Sequence, residues 1–200
     1  VVSRFIAGGT LGARIKQARP TYTDTVKLLI PIAEALAAAH EHRIIHRDVK
    51  PENVLIEEAT GRPFLADFGL AIREEDYRQH PGQAGTPAYM SPEQVRGEGH
   101  RLDGRCDLFS LGVIFYEMLT GRRPFQGSDR DHLFHDITTI DPPPPRSLDA
   151  DIPPQLECIC LKALAKQVAD RCTAAELVAD LQKFLAGGSP VQAPTTPAVF

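Results

Sequence analysis

The 200 residues hold four cysteines, Cys106, Cys158, Cys160 and Cys172, and no C-x-x-C pair among them. That excludes a disulfide framework and points to a reducing, cytoplasmic setting. Cys158 and Cys160 stand two apart inside a helical pattern, so they point two ways and argue against zinc. His40, His42, His80, His100, His132 and His135 show no ligand geometry either, since the pair one helical turn apart, His132 and His135, lacks a third partner. No run of 18 apolar residues is present; the longest candidates, 28–39 and 108–119, are each interrupted by a glutamate. No leader-peptide pattern and no internal repeat is visible. Charge of one sign is also missing: 22 basic against 26 acidic residues leave a formal charge of −4, which gives no general affinity for nucleic acid or anionic membrane.

What is present is ordinary for a globular core, with 42% hydrophobic and 24% charged residues, and the length suits one domain or one large lobe. Residues 1–6 read as a strand end and 7–10 as a turn. Val1 lies inside that apolar run, so the chain is expected to be cut at its N-terminus. Residues 24–42 carry helical spacing, with Thr23 or Asp24 as the cap and Pro31 as a kink. Residues 54–56 and 64–66 flank "EEATGRP" as a hairpin. Residues 73–85 read as a long polar loop, 106–119 as a buried helix, and 154–165 and 174–185 as closing helices. The Pro/Thr/Gly-rich end reads as a linker. Helix outweighs strand throughout.

"IIHRDVKPENVL", residues 44–55, concentrates the chemistry. The hairpin should return Asp67 to the side of Asn53. A carboxylate and a carboxamide oxygen together are hard ligands suited to Mg²⁺, which keeps waters and phosphate oxygens as its other ligands. Asp48 can face the same cleft without joining the metal shell, and Lys50 adds a positive charge between them. This is a phosphoryl-transfer layout: the metal gathers phosphate oxygens, the lysine neutralises the moving group, and Asp48 orients a hydroxyl and accepts its proton.

These residues resemble the eukaryotic-type (Hanks-type) Ser/Thr protein kinase family, in its bacterial branch. "HRDVKPEN" is similar to the family's catalytic loop, "DFG" (67–69) to its metal motif, and "GTPAYMSPE" (85–93) to the end of its activation segment. "DLFSLGVIFYEMLTGRRPF" (107–125) is similar to its central helix. The resemblance implies an α+β, mainly α fold: a kinase C-terminal lobe with a small β-hairpin beside the catalytic loop. Residues 1–10 would be the end of an N-lobe strand and the hinge, 11–185 the C-lobe, and 186–200 a linker. It implies Asp48 as catalytic base, Lys50 on the γ-phosphate, Asn53 and Asp67 as ligands of Mg²⁺ or Mn²⁺, and Thr86 beside Asp48 and Lys50. ATP would be held by the backbone of Arg4 and Ile6, by Leu55 under the adenine and by Thr10 near the ribose. His46 and Phe68 would stack, Asp107 would anchor the catalytic loop, and Arg171 would pair with Glu93. Lys50 with Thr86 is the Ser/Thr-type pattern, so the implied partners are ATP and a Ser/Thr-containing protein substrate.

Three departures matter. The family's glycine-rich loop and strand lysine are absent; "AGGTLG" (7–12) has neither the G-x-G-x-x-G spacing nor a following valine-lysine strand. The N-lobe is therefore expected to be missing, the 200 residues alone to be inactive, and the exposed lobe interface to favour self-association. Arg43 stands where relatives place a left-handed glycine, at an expected cost of about 1 kcal/mol. Residues 70–85 contain no Ser or Thr, and Tyr77 is the only hydroxyl before Thr86. Glu74, Glu75 or Asp76 would then replace a phosphate opposite Arg47, with a solvated acidic tip as the alternative. Two competing functions are a pseudokinase scaffold, which should lack Asp48, Asn53 or Asp67, and a small-molecule phosphotransferase, which should lack "GTPAYMSPE".

Overall fold

A computed structural model describes residues 5–73, 85–98 and 103–187. The expectations on Arg4, on the acidic residues Glu74, Glu75 and Asp76, and on the tail beyond 187 lie outside the described residues.

Helix α4 (Arg105–Thr120) is the axis of the molecule. Thirteen of its sixteen residues are buried, so it is enclosed on every side rather than amphipathic. Helix α2 (Tyr22–Glu41) lays Val26, Leu29, Ile32, Ala33 and Leu36 against the core along one face. Its cap is Thr21, whose hydroxyl oxygen accepts the Asp24 amide at 3.1 Å, and not Thr23 or Asp24. Asp24 still contributes, because its carboxylate accepts the Thr21 hydroxyl at 2.8 Å. The helix continues through Pro31 and ends before Arg43, which takes the left-handed conformation (φ 56°) expected there. Helices α6 (Pro154–Ala163) and α7 (Ala174–Leu185) close the core. Among the described residues there are three further helices that the apolar pattern does not announce: α1 (Leu11–Gln17), α3 (Pro92–Arg96) and α5 (Arg130–Thr139).

The strands are few and antiparallel. β1 (Gly8–Thr10), β3 (Val54–Glu57) and β4 (Pro63–Leu65) form one sheet with β3 in the middle; β2 (Ile44–Ile45) pairs with β5 (Ile72–Arg73). Residues 7–10 are thus not the expected turn: 8–10 are a strand in register with 55–57. Gly8 explains the difference. At its position a Cβ would sit 1.9 Å from the Ile56 carbonyl oxygen, so only a bare backbone comes this close to β3. The chain is therefore mostly helical with two small antiparallel sheets, and the loop between β2 and β3 lies where sheet meets helices. Among the described residues no helix is long and apolar enough to cross a membrane.

Candidate active site

The loop that leaves β2 is fixed from below by one carboxylate. Asp107, buried in the first turn of α4, accepts the backbone N–H of His46 on Oδ2 (2.9 Å) and that of Arg47 on Oδ1 (2.8 Å). His40, near the end of α2, places its Nε2 2.9 Å from the same Oδ2. The end of α2 and the start of the loop are thus both tied to a group more than fifty residues further along the chain. His46 is fully buried: its Nε2 lies 3.0 Å from the Ala66 carbonyl and its Nδ1 accepts the Asp48 amide at 3.3 Å. A neutral ring protonated on Nε2 satisfies both contacts. The His46 and Phe68 rings are in contact, with centroids 4.6 Å apart and planes at 64°, an edge-to-face pairing.

Arg47 then turns left-handed (φ 67°) and aims Asp48 outward. Every oxygen of the Asp48 carboxylate is engaged. Oδ1 accepts the Thr86 amide (2.9 Å) and hydroxyl (2.8 Å). Oδ2 accepts the Lys50 ammonium (2.5 Å) and the Asn53 amide (3.1 Å). Lys50 also donates to the Thr86 hydroxyl oxygen at 2.9 Å, closing a ring of three side chains. Burial alone would raise the Asp48 pKa, but the hydrogen bonds from Lys50 and Thr86 outweigh it and hold the carboxyl below its ordinary range. Asp48 is an ionised acceptor with a fixed direction.

Asn53 and Asp67 are placed by the hairpin. The ladder Val54↔Leu65 continues one step outward, with the Ala66 amide donating to the Asn53 carbonyl at 2.8 Å, so Asp67 follows the residue opposite Asn53. The Asn53 side chain donates through Nδ2 to the Asp48 carbonyl (2.9 Å) and carboxylate (3.1 Å), and neither bond uses Oδ1. Asp67 is exposed, left-handed (φ 61°), and caps the turn Phe68–Leu70 by accepting the Gly69 amide at 3.3 Å. Among the described residues no cluster of three His, Cys, Asp or Glu holds a metal alone. One carboxylate and one amide oxygen fit a hard divalent ion whose other ligands are water and phosphate.

The remaining expected residues fall in two groups. Leu55 is half-buried in β3 opposite Thr10, while Ile6 is half-buried just before β1. The Thr10 hydroxyl oxygen already accepts the Ala13 amide (3.1 Å) as the cap of α1, so its hydrogen and one further lone pair are left for an outside partner. Below the loop, Arg171 meets Glu93 in a buried two-pronged pair, Nη1 to Oε1 at 2.7 Å and Nη2 to Oε2 at 3.1 Å. Arg47 sends Nε to the Leu70 carbonyl (2.6 Å); the acidic partner expected for it lies outside the described residues. Sequence reading missed His40 and Gln94. Each acts through a backbone or buried contact, and charge spacing carries no signal for that.

A protein kinase domain model matches residues 1–181. The chain belongs to the protein kinase family. Relatives include the serine/threonine-protein kinase PknB of Mycolicibacterium smegmatis, 38% identical across the whole chain and 32% of the relative. Others are a probable PknB of Bifidobacterium longum (36%, covering 98% of the chain and 29% of the relative) and pkn3 of Myxococcus xanthus (36%, 88% and 34%). The chain spans about a third of the length of these curated relatives. All three of these relatives carry the name of serine/threonine-protein kinases.

Proposed function

We propose that these residues are the helical C-lobe of an ATP-dependent Ser/Thr protein kinase, with 1–10 as strand end and hinge and 186–200 as a linker. The observation that carries this reading is the Asp48 carboxylate, ionised and gripped by Thr86, Lys50 and Asn53. A carboxylate so fixed orients an incoming Ser or Thr hydroxyl and takes its proton late, which suits a loose transition state. Lys50, 2.5 Å from Asp48, can also reach a phosphoryl oxygen and offset its charge. A divalent ion, Mg²⁺ or Mn²⁺, would be held by Asn53 and Asp67 and would supply charge neutralisation of the phosphates. Leu55, Ile6, Thr10 and the Arg4 backbone would receive the nucleoside of ATP. The intact set Asp48, Asn53 and Asp67 disfavours the scaffold reading, and residues 85–93 with their Arg171 lock disfavour a small-molecule substrate.

No G-x-G-x-x-G segment with its strand lysine occurs in the 200 residues, so the phosphates would be covered by sequence elsewhere in the full protein. Phe5 at 87%, Phe68 at 45% and Leu70 at 40% exposure are apolar side chains that an N-lobe would cover, and their exposure would favour self-association of the isolated piece. The test is transfer of labelled phosphate from ATP to a generic Ser/Thr protein. The full-length protein should show it, Asp48→Asn should lose at least about a hundredfold, and the 200-residue piece should be silent and sediment above monomer mass. Activity surviving D48N, or a brisk and monomeric piece, would refute the respective claim.

A further inference from the structure

We infer that Gln94 is a positioning residue for the catalytic loop, holding the left-handed turn that aims Asp48. This rests on the kinase reading and names a residue outside its phosphate and metal set. Gln94 is buried in α3. Its Oε1 accepts the Ser91 amide (3.0 Å) and the Ser91 hydroxyl (3.1 Å), while the Ser91 hydroxyl oxygen accepts the Gln94 amide at 3.4 Å, a reciprocal cap that fixes the side chain. The opposite end of the carboxamide, Nε2, donates 3.1 Å to the carbonyl oxygen of Arg47, 47 residues away.

The acceptor is what makes this contact more than a cap. Arg47 is non-glycine at φ 67°, a conformation that persists only where its surroundings enforce it. Asp107 holds the peptide on its N-terminal side through the Arg47 amide at 2.8 Å. Gln94 holds the peptide on its C-terminal side, whose N–H belongs to Asp48 and points to His46 Nδ1 at 3.3 Å. With both planes fixed, the Cα–Cβ direction of Asp48 is set before any substrate arrives. Gly85 has the same cause: with φ 122°, a Cβ there would lie 2.7 Å from this Arg47 oxygen and 3.7 Å from Gln94 Nε2. The glycine clears the space in which the carboxamide meets the carbonyl. A glutamate would complete the same helix cap, so the cap alone does not call for an amide. The donor toward Arg47 does.

Gln94→Glu separates the two roles, because it keeps an oxygen for Ser91 and deletes the N–H toward Arg47. In the full-length protein kcat should fall about 10- to 100-fold with KM for ATP and for substrate unchanged. Amide hydrogen exchange at 47–49 should speed up while that of α3 stays slow. Thr173→Ala, which removes the cap of distant α7, should lower the unfolding midpoint and leave kcat alone. Should Q94E not fold, Gln94→Met offers a neutral side chain of similar length with the same predicted loss of kcat. A kcat within twofold of wild type, unchanged exchange at 47–49, or a loss of kcat in T173A as large as that in Q94E overturns the assignment. If the wild-type protein transfers no phosphate, the kinase reading falls, and the exchange arm still decides the role of Gln94.

Discussion

Asp48 shows how a single residue acquires chemistry from its neighbours. Its carboxyl is held below the ordinary range because the hydrogen bonds of Lys50 and Thr86 outweigh burial. The linkage follows directly. A group whose folded pKa is depressed stabilises the fold above its unfolded pKa, and that contribution is lost as pH falls through the folded value. The midpoint difference between wild type and D48N should therefore be constant near neutrality and shrink from about pH 5 downward. A difference independent of pH down to the unfolding limit would mean that the carboxylate is not held this way. Asp48, Lys50, Asn53 and Thr86 were all legible in the sequence, because their residue types and close spacing carry the chemistry. His40 and Gln94 were not legible, because each reaches a partner more than forty residues away through a contact that residue type does not encode.

Among the elements, α5 offers an unusual end. Its last carbonyls are capped by side chains from other elements: Lys166 donates to Ile137 (2.7 Å) and Asp136 (3.2 Å), and Arg96 to Thr138 (2.8 Å). Lys166 also lies 3.8 Å over the Phe125 ring. Burial, with Arg171 and Arg96 nearby, pushes its pKa down to about 8, against the pull of Asp141 and Asp136. An unfolded chain then binds more protons than the folded one between about 8 and 10.5, so stability should rise with pH across that window. Thermal unfolding of wild type and Lys166→Met should show this rise in the first and its absence in the second. Equal slopes would place the ammonium in a wetter site. The sequence announced α2, α4, α6 and α7, whose apolar faces are long, and it announced the hairpin. It did not announce α1, α3 or α5, which are short or polar. Nor did it reveal the strand at 8–10, whose two glycines read as a turn until β3 is alongside.

At the scale of the whole molecule, the Glu93–Arg171 pair joins α3, behind the loop 46–53, to the start of α7. Both side chains are almost completely buried, at 3% and 0% exposure. Arg171 also donates to the carbonyls of Ala165 (3.0 Å) and Arg105 (2.9 Å), so one guanidinium bridges three stretches of chain. Removing one partner strands a charge in the interior. Arg171→Met should cost about 3–5 kcal/mol in urea unfolding, and Glu93→Gln/Arg171→Met together should recover part of it. A loss under about 1 kcal/mol for R171M would show that the pair is solvated. The mainly helical fold with its small antiparallel sheets was legible because motifs at 46–53, 67–69 and 85–93 indicated which segments must meet.

The same pair governs when the molecule becomes whole. Glu93 enters its interior place 78 residues ahead of the arginine that neutralises it. On a ribosome, the earlier portion must wait with an unpaired anion until the stretch around Arg171 emerges from the exit tunnel. The nascent chain is thereby kept from completing this interior before that arginine has been made.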